Sequence, residues 1–173
     1  MIGWANSLLR DRRGSVTVEL ALFAPILATL IVGVADISLA FGRKLEIEQA
    51  SQRAIEKVMQ TTGSATVADT IKLEAVCQVN GTDGDGDCTG GRLSEDDVSV
   101  TYRLECIGDG SRTATESEDA TAFDALTCGA DEREARYLSV TVEDTYTPMF
   151  PIHWSTGDDG VYSLAATAGV RTQ

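Results

Sequence analysis

The hydrophobic and polar positions divide this chain into an apolar first part and a patterned second part. From Leu20 to Gly42 there are 23 positions with a single charged residue, Asp36. As a helix this run is about 35 Å long, against about 30 Å for the hydrocarbon of a bilayer. The pattern predicts a membrane-spanning helix, in which Pro25 is tolerated and introduces a modest kink.

The more polar stretch after this run keeps a helical spacing and contains no Gly or Pro between Arg43 and Gln60. Its apolar residues recur every three or four positions, at Ile47, Ala50, Ala54 and Val58. This spacing is typical of a helix with one apolar side. The sequence therefore predicts one continuous helix from about Val16 to Gln60, partly in the membrane and partly an exposed stalk, ended by the Thr-Thr-Gly at 61–63.

Beyond the stalk the periodicity changes. Residues 65–76 have apolar positions four apart and predict a short helix, whereas residues 98–105, 137–144 and 162–170 alternate apolar with polar side chains and predict three strands. Three half-buried strands suggest a small antiparallel sheet with one face packed on the long helix. The predicted fold class is α+β, with a long N-terminal transmembrane helix continuing into the stalk.

Charge limits the possible functions and orients the helix. The chain has 14 basic and 27 acidic residues, a formal net charge of −13, which argues against a nucleic-acid binder. Arg10, Arg12 and Arg13 precede the span, and positive flanks stay in the cytoplasm, so the C-terminal part is expected outside it.

The single histidine, His153, has no nucleophile or acid motif to act with, and we expect no enzyme.

Four cysteines lie in the second half of the chain, at Cys77, Cys88, Cys106 and Cys128. Outside the cytoplasm they are expected to form disulfides, and four cysteines allow three pairings. Pairing of neighbours closes the shortest loops and is the first choice. A zinc site is disfavoured because no Cys-x-x-Cys spacing is present.

An acidic loop sits between the first two cysteines. Asp83, Asp85 and Asp87 are spaced like the first three ligands of a calcium loop. The sixth position is Cys88 rather than Gly, however, and the twelfth is Ser94 rather than Glu. A plain acidic turn is the favoured interpretation, calcium is a minority hypothesis, and no other cofactor is expected.

The front edge of the apolar run carries the functional motif. Residues 12–20 read Arg-Arg-Gly-Ser-Val-Thr-Val-Glu-Leu, so a Gly follows basic residues and an acidic Glu19 stands among apolar ones. An ionisable group at the edge of hydrocarbon is costly unless it is paired. The motif resembles the prepilin signal of type IV pilins and pseudopilins.

The wider run, residues 14–27, looks like the TadE-like family, the minor pilins or pseudopilins of the tight-adherence (Tad, or Flp) pilus system. In that family a prepilin peptidase cuts after the Gly, which implies cleavage here between Gly14 and Ser15. The resemblance implies that Glu19 then neutralises the new Ser15 ammonium of a neighbouring subunit. It also implies partners: the membrane, the peptidase, other pilins and the assembly platform. Ser15, where many type IV pilins have Phe or Met, favours the Tad type.

These expectations divide the chain into a leader (1–14), a transmembrane helix (15–42), a helical stalk (43–62) and an extracytoplasmic α+β domain (63–173). We expect a single-pass protein of the bacterial inner membrane with a periplasmic domain, incorporated in or priming a surface pilus. The alternative is a membrane-anchored periplasmic domain that binds calcium, carbohydrate or a protein partner. Two interpretations of Asp36 stay open: an intramembrane partner for a group on another subunit, or a residue already at the outer interface.

Overall fold

A computed structural model describes the backbone of residues 13–60, 67–83, 85, 87–88, 90–108, 110–149 and 160–172, and their side chains except those of 13–15 and 67. In chain order the elements are helix α1 (Arg13–Gln60), helix α2 (Val67–Asn80), a 3-10 helix (Glu95–Asp97), strands β1 (Val98–Gly108) and β2 (Ser111–Ser117), helix α3 (Ala120–Asp124), and strands β3 (Arg133–Tyr146) and β4 (Tyr162–Arg171). The predicted α+β fold is confirmed.

The four strands form one antiparallel sheet in the order β2-β1-β3-β4. Val100 pairs with Val140, and Val142 pairs with Ala166, so the apolar positions of three strands fall on the same face. The tight connection between β1 and β2 contains Gly110 at a φ of 79°, a backbone conformation in which a side chain would be strained.

The core lies between this apolar face and the helices. The second half of α1 packs on β3 and β4, while α2 packs on α1 and β1. The core side chains are those of Ile47, Ala50, Ala54, Ile55, Ile71, Ala75, Val76, Leu93, Val98, Val100, Tyr102, Leu104, Phe123, Leu138, Val140, Val142 and Ala166. We call this packed unit, meaning the sheet with α2, α3 and the second half of α1, the head.

Helix α1 has two different surroundings. It is continuous through Pro25, as predicted, and begins at Arg13 rather than Val16. Every side chain from residue 16 to 31 is exposed, whereas Ile47, Ala50 and Ala54 are 0% exposed. The stalk therefore has one side buried in the head. We call residues 16–41 of α1 the anchor.

The structure adds two elements that the sequence pattern did not predict. Strand β2 is an edge strand whose residues Ser-Arg-Thr-Ala-Thr-Glu-Ser have no apolar alternation, because six of the seven side chains are exposed. Helix α3 is only five residues long, and Asp119 caps it by accepting hydrogen bonds from the backbone N–H groups of Thr121 and Ala122. Helix α2 also runs to Asn80, four residues beyond its predicted end.

Two disulfides join neighbouring cysteines. Cys77–Cys88 ties the end of α2 to the acidic loop, with a Cα–Cα distance of 4.9 Å. Cys106–Cys128 ties β1 to the segment before β3, with a Cα–Cα distance of 5.5 Å. Loops of this length give about 3 kcal/mol of stabilisation each by restricting the unfolded chain.

Arg92 links three parts of the head. Its guanidinium lies 2.8 Å from the Glu46 carboxylate on α1 and 3.0 Å from Oδ2 of Asp144 on β3. The Asp144 side chain is only 4% exposed. Among the described residues, the ion pair with Arg92 is the one polar contact of that buried oxygen. Arg92 therefore compensates a carboxylate that would otherwise be buried alone.

Candidate functional site

The anchor is the most unusual surface of the molecule. Most of its large apolar side chains are 49–69% exposed, from Val16 at 68% to Phe41 at 64%. A soluble monomer rarely leaves so long an apolar surface open to water. Among the described residues, α1 is the one helix long and apolar enough to cross a membrane. The chain therefore has a candidate membrane span, consistent with membrane anchoring.

Two hydroxyl groups of the anchor are satisfied within the helix. The Thr29 hydroxyl donates to the Pro25 carbonyl at 2.8 Å, and the Ser38 hydroxyl donates to the Val34 carbonyl at 2.8 Å. Hydroxyls that bond back to the preceding turn need no water, which suits a helix in lipid. The kink expected at Pro25 stays a prediction.

The predicted cleavage motif lies at the start of α1. Gly14 and Ser15 have helical backbone, and Glu19 is exposed one turn further along. Positions four apart face the same way on a helix, so Ser15 and Glu19 share one side of α1. None of the basic side chains that the structure describes lies within ion-pair distance of Glu19. The leader, residues 1–12, lies outside the described residues.

Asp36 bonds to the far end of the sheet, which sequence reasoning did not predict. Its Oδ1 accepts from the Tyr146 hydroxyl at 2.9 Å and from the backbone N–H of Met149 at 2.9 Å. Burial first, and then the bond to Asp36, raise the pKa of Tyr146, so its hydroxyl stays protonated and donating. The one signal in the sequence was the position of a carboxylate within an apolar run. Such a carboxylate is expected to accept hydrogen bonds, but the sequence does not show from which residues.

The acidic loop closes on itself. Oδ1 of Asp83 accepts from the backbone N–H groups of Asp85 at 3.0 Å and Asp87 at 2.8 Å, and Asp83 N–H donates to the Asp87 carbonyl at 2.8 Å. This is the turn that a short acidic segment forms without an ion. Calcium binding by these residues stays a prediction.

One other group of possible ligand atoms is brought together among the described residues. The sulfurs of Cys106 and Cys128 lie within 4.8 Å of a Glu132 carboxylate oxygen. Both sulfurs are consumed in a disulfide, so neither can bind a metal as a thiolate while that bond is intact. His153 lies outside the described residues.

Among the described residues no helix packs on the face of the sheet opposite α1, and this face holds a polar cluster. Glu105 accepts from Arg112, and it lies 2.8 Å from the Arg103 guanidinium, although its own side chain is only 4% exposed. The hydrogen bond from Arg112, supported by the charges of both arginines, lowers the pKa of Glu105 below its usual 4.5 despite the opposing effect of burial.

The stability of the head should therefore depend on Glu105 in acid. At a pH between the lowered pKa of Glu105 in the folded protein and its pKa in the unfolded chain, the unfolded chain binds more protons. The contribution of Glu105 to the free energy of unfolding is therefore fully present above pH 4.5. It is lost as the pH falls through the pKa of the folded protein. We expect Glu105→Gln to be less stable than wild type at about pH 7 and to lose less on acidification to about pH 3. Urea titrations of the full chain in detergent micelles measure both.

Glu116→Gln is the matched control for this experiment. Glu116 is 60% exposed and lies 3.7 Å from Arg103, on the same face of the sheet. Its removal should leave the acid dependence unchanged, because exposed pairs contribute little. Equal acid dependence of Glu105→Gln and wild type would contradict the role of the buried carboxylate.

The comparisons with known proteins bear on the anchor and the stalk. Residues 14–55 match a protein-family model described as TadE-like protein. No curated protein and no solved structure gives a significant match to the chain. The matched segment contains Gly14, Ser15 and Glu19 and most of α1, and it ends where α1 is buried in the head.

Proposed function

We propose that this chain, whose TadE-like domain indicates involvement in the Tad pilus system, is a structural minor pilin or pseudopilin. A prepilin peptidase cuts it between Gly14 and Ser15, and the mature subunit takes part in pilus assembly without catalysis of its own. The observation that carries the proposal is the exposed apolar first half of helix α1, matched by the family model from residue 14 and continuous with a compact head.

The charge balance at the start of α1 supports this role. Cleavage creates an ammonium group on Ser15, and Glu19 is an exposed carboxylate without a described basic partner. In the low dielectric of a helix bundle or bilayer each charge alone is unfavourable, and a neighbouring subunit's Glu19 can neutralise the amine. Subunit association and charge neutralisation are then one event.

Orientation follows from two features of the chain. The basic residues Arg10, Arg12 and Arg13 precede the anchor and stay on the cytoplasmic side, where the peptidase cuts. The two disulfides of the head need an oxidising compartment. Both features support a head in the periplasm, with the anchor in the inner membrane until the subunit enters the fibre.

Replacing Gly14 with Trp is expected to leave the full-length precursor uncut in cells with an active prepilin peptidase. The peptidase must accommodate the residue before the scissile bond, and a bulky side chain there blocks the approach of the backbone. Mass spectrometry of the wild-type mature chain should show Ser15 first, whereas the Gly14→Trp chain should still begin at Met1.

Gly42→Leu is the matched control, because a side chain at Gly42 would meet nothing within 4 Å. It should be processed like wild type. An intact Met1 on the wild-type protein in such cells would refute the processing step.

A second candidate is a membrane-anchored periplasmic domain that binds a carbohydrate or a protein partner. The observation that favours it is the uncovered sheet face, which contains a groove of about 460 Å³ lined by Arg103, Arg112, Arg171 and Tyr137. Mechanical shearing of cells separates the two candidates. A pilus subunit appears in the sheared filaments, whereas an anchored binding domain stays with the membranes.

A further inference from the structure

The anchor is longer than a bilayer requires. Exposed and mainly apolar side chains occupy residues 16–41, and 26 helical residues span about 39 Å, whereas hydrocarbon about 30 Å thick takes about 20 residues. Counted from Leu20, where the apolar run begins beside Glu19, 20 residues end at about Leu39. Asp36, the single charged residue between Leu20 and Gly42, therefore lies within one helical turn of the outer surface of the hydrocarbon.

The head reaches down to this level. The Tyr146 hydroxyl and the Met149 backbone N–H both bond to Asp36, at 2.9 Å each. Pro148 and the start of β4 line one groove together with residues of α1 from Thr29 to Phe41. The β3–β4 end of the sheet, meaning residues 146–149 and 162–164, thus lies beside α1 near the outer surface of the hydrocarbon.

The side chains at this level have the chemistry of a membrane interface. The rings of Tyr146 and Tyr162 are stacked with centroids 6.5 Å apart. The Arg43 guanidinium lies 5.1 Å from the centre of the Tyr146 ring and donates to the Thr145 carbonyl at 3.2 Å. Tyrosines concentrate at the headgroup level of bilayers, and arginine stems lie along apolar surface with their charge in the polar layer.

An apolar groove continues the surface of the anchor onto the head. It has a volume of about 540 Å³ between α1 and the β3–β4 end, and its walls include Leu30, Val34, Pro148 and Leu164. The Met149 side chain at the same end is 71% exposed. Because the groove is continuous with the candidate membrane span, the molecules that reach it in the membrane are lipids, whose acyl chains match its apolar walls.

We propose that the β3–β4 end of the sheet is seated in the outer leaflet of the membrane, with the surface of the hydrocarbon at the level of Asp36. The groove takes lipid acyl chains, and the Met149 side chain enters the boundary between headgroups and chains. Bonding to Tyr146 and Met149 then lets Asp36 lie at that boundary with its oxygen satisfied. The inference rests on the membrane anchoring within the proposed function, and it adds that the head itself binds lipid.

The test places a single tryptophan at chosen depths of the full chain. Trp4→Phe and Trp154→Phe remove the native fluorophores, and Met149→Trp, Leu30→Trp or Thr115→Trp adds one. Thr115 is an exposed residue of β2, far along the chain from the anchor. Each protein is reconstituted in phosphatidylethanolamine–phosphatidylglycerol vesicles, and its fluorescence is quenched either by lipids brominated near the headgroup or by iodide in water.

We expect Met149→Trp to lose about half of its emission to the brominated lipid and to be shielded from iodide, as for a side chain inserted about 5–10 Å into the interface. Leu30→Trp should be quenched by lipid alone, and Thr115→Trp by iodide alone. If Met149→Trp is quenched by iodide alone while Leu30→Trp is still quenched by lipid, the β3–β4 end does not lie in the outer leaflet. The membrane anchoring by α1 is then unaffected.

Two other outcomes also overturn the inference. If Met149→Trp is shielded from both quenchers, another protein copy covers this end rather than lipid. If Leu30→Trp is not quenched by lipid, the anchor itself is not in the bilayer, and the proposed function fails together with the inference.

Discussion

Replacing Glu19 with Gln is expected to abolish incorporation of the subunit into pili while leaving the cut after Gly14 intact. The amide keeps the size and hydrogen-bonding capacity of the side chain but removes its charge, so the Ser15 ammonium of a neighbouring subunit stays unneutralised. Removing one partner of a buried ion pair costs about 3–5 kcal/mol, which lowers an association constant by about two to four orders of magnitude.

The measurement is the amount of the chain in sheared filaments and in crosslinked complexes from membranes, with mass spectrometry of its first residue. Glu56→Gln is the matched control, since Glu56 lies on the same helix, is 56% exposed and has only an ion pair of 3.7 Å with Arg53. Its assembly should equal that of wild type. Normal filament incorporation of Glu19→Gln would remove the electrostatic basis of the proposed assembly.

Replacing Arg92 with Ala is expected to cause the largest loss of stability of any single exchange outside the apolar core. It leaves the Asp144 carboxylate, which is 4% exposed, without the guanidinium that lies 3.0 Å from it. An uncompensated buried charge costs about 3–5 kcal/mol, a large part of the stability of a domain of this size. The free energy of unfolding of the full chain, from urea titration in detergent micelles, measures this loss.

Two further variants separate the loss of charge compensation at Asp144 from other effects of replacing Arg92. Arg53→Ala removes an arginine that is 61% exposed and paired only at 3.7 Å, and it should cost less than about 0.5 kcal/mol. Adding Asp144→Asn to Arg92→Ala should recover part of the loss, because no unpaired charge then remains. If the single and double variants unfold at the same urea concentration, packing of the Arg92 stem rather than charge holds the head together.

Helix α1 and three of the strands could be predicted because their patterns are local. The helical spacing of Ile47, Ala50 and Ala54 identified the side of the stalk that is buried, and the alternation in β1, β3 and β4 identified the core face of the sheet. Strand β2 gave no such signal. An edge strand exposed on both faces has no buried side to select apolar residues, so its pairing with β1 comes from backbone hydrogen bonds and from the ion pairs of Arg112 with Glu105 and of Glu116 with Arg103.

The long-range polar contacts could not be predicted from the sequence, for a different reason. Asp36 and Tyr146 are 110 residues apart, and Arg92 meets Glu46 and Asp144 from a third segment. Each residue alone is an ordinary polar position, and only the folded sheet brings the partners together. The candidate motif at Gly14, Ser15 and Glu19 is local and visible in the sequence, whereas the bonding of Tyr146 to Asp36 is not.

The continuity of α1 has a mechanical consequence. After Gly42 the helix contains no Gly or Pro up to Gln60, so this part of α1 has no flexible joint. A pull on the anchor is therefore transmitted to the contact between the sheet and Ile47, Ala50 and Ala54. In the proposed assembly, extraction of the subunit from the bilayer would carry the sheet along in a fixed orientation relative to the stalk.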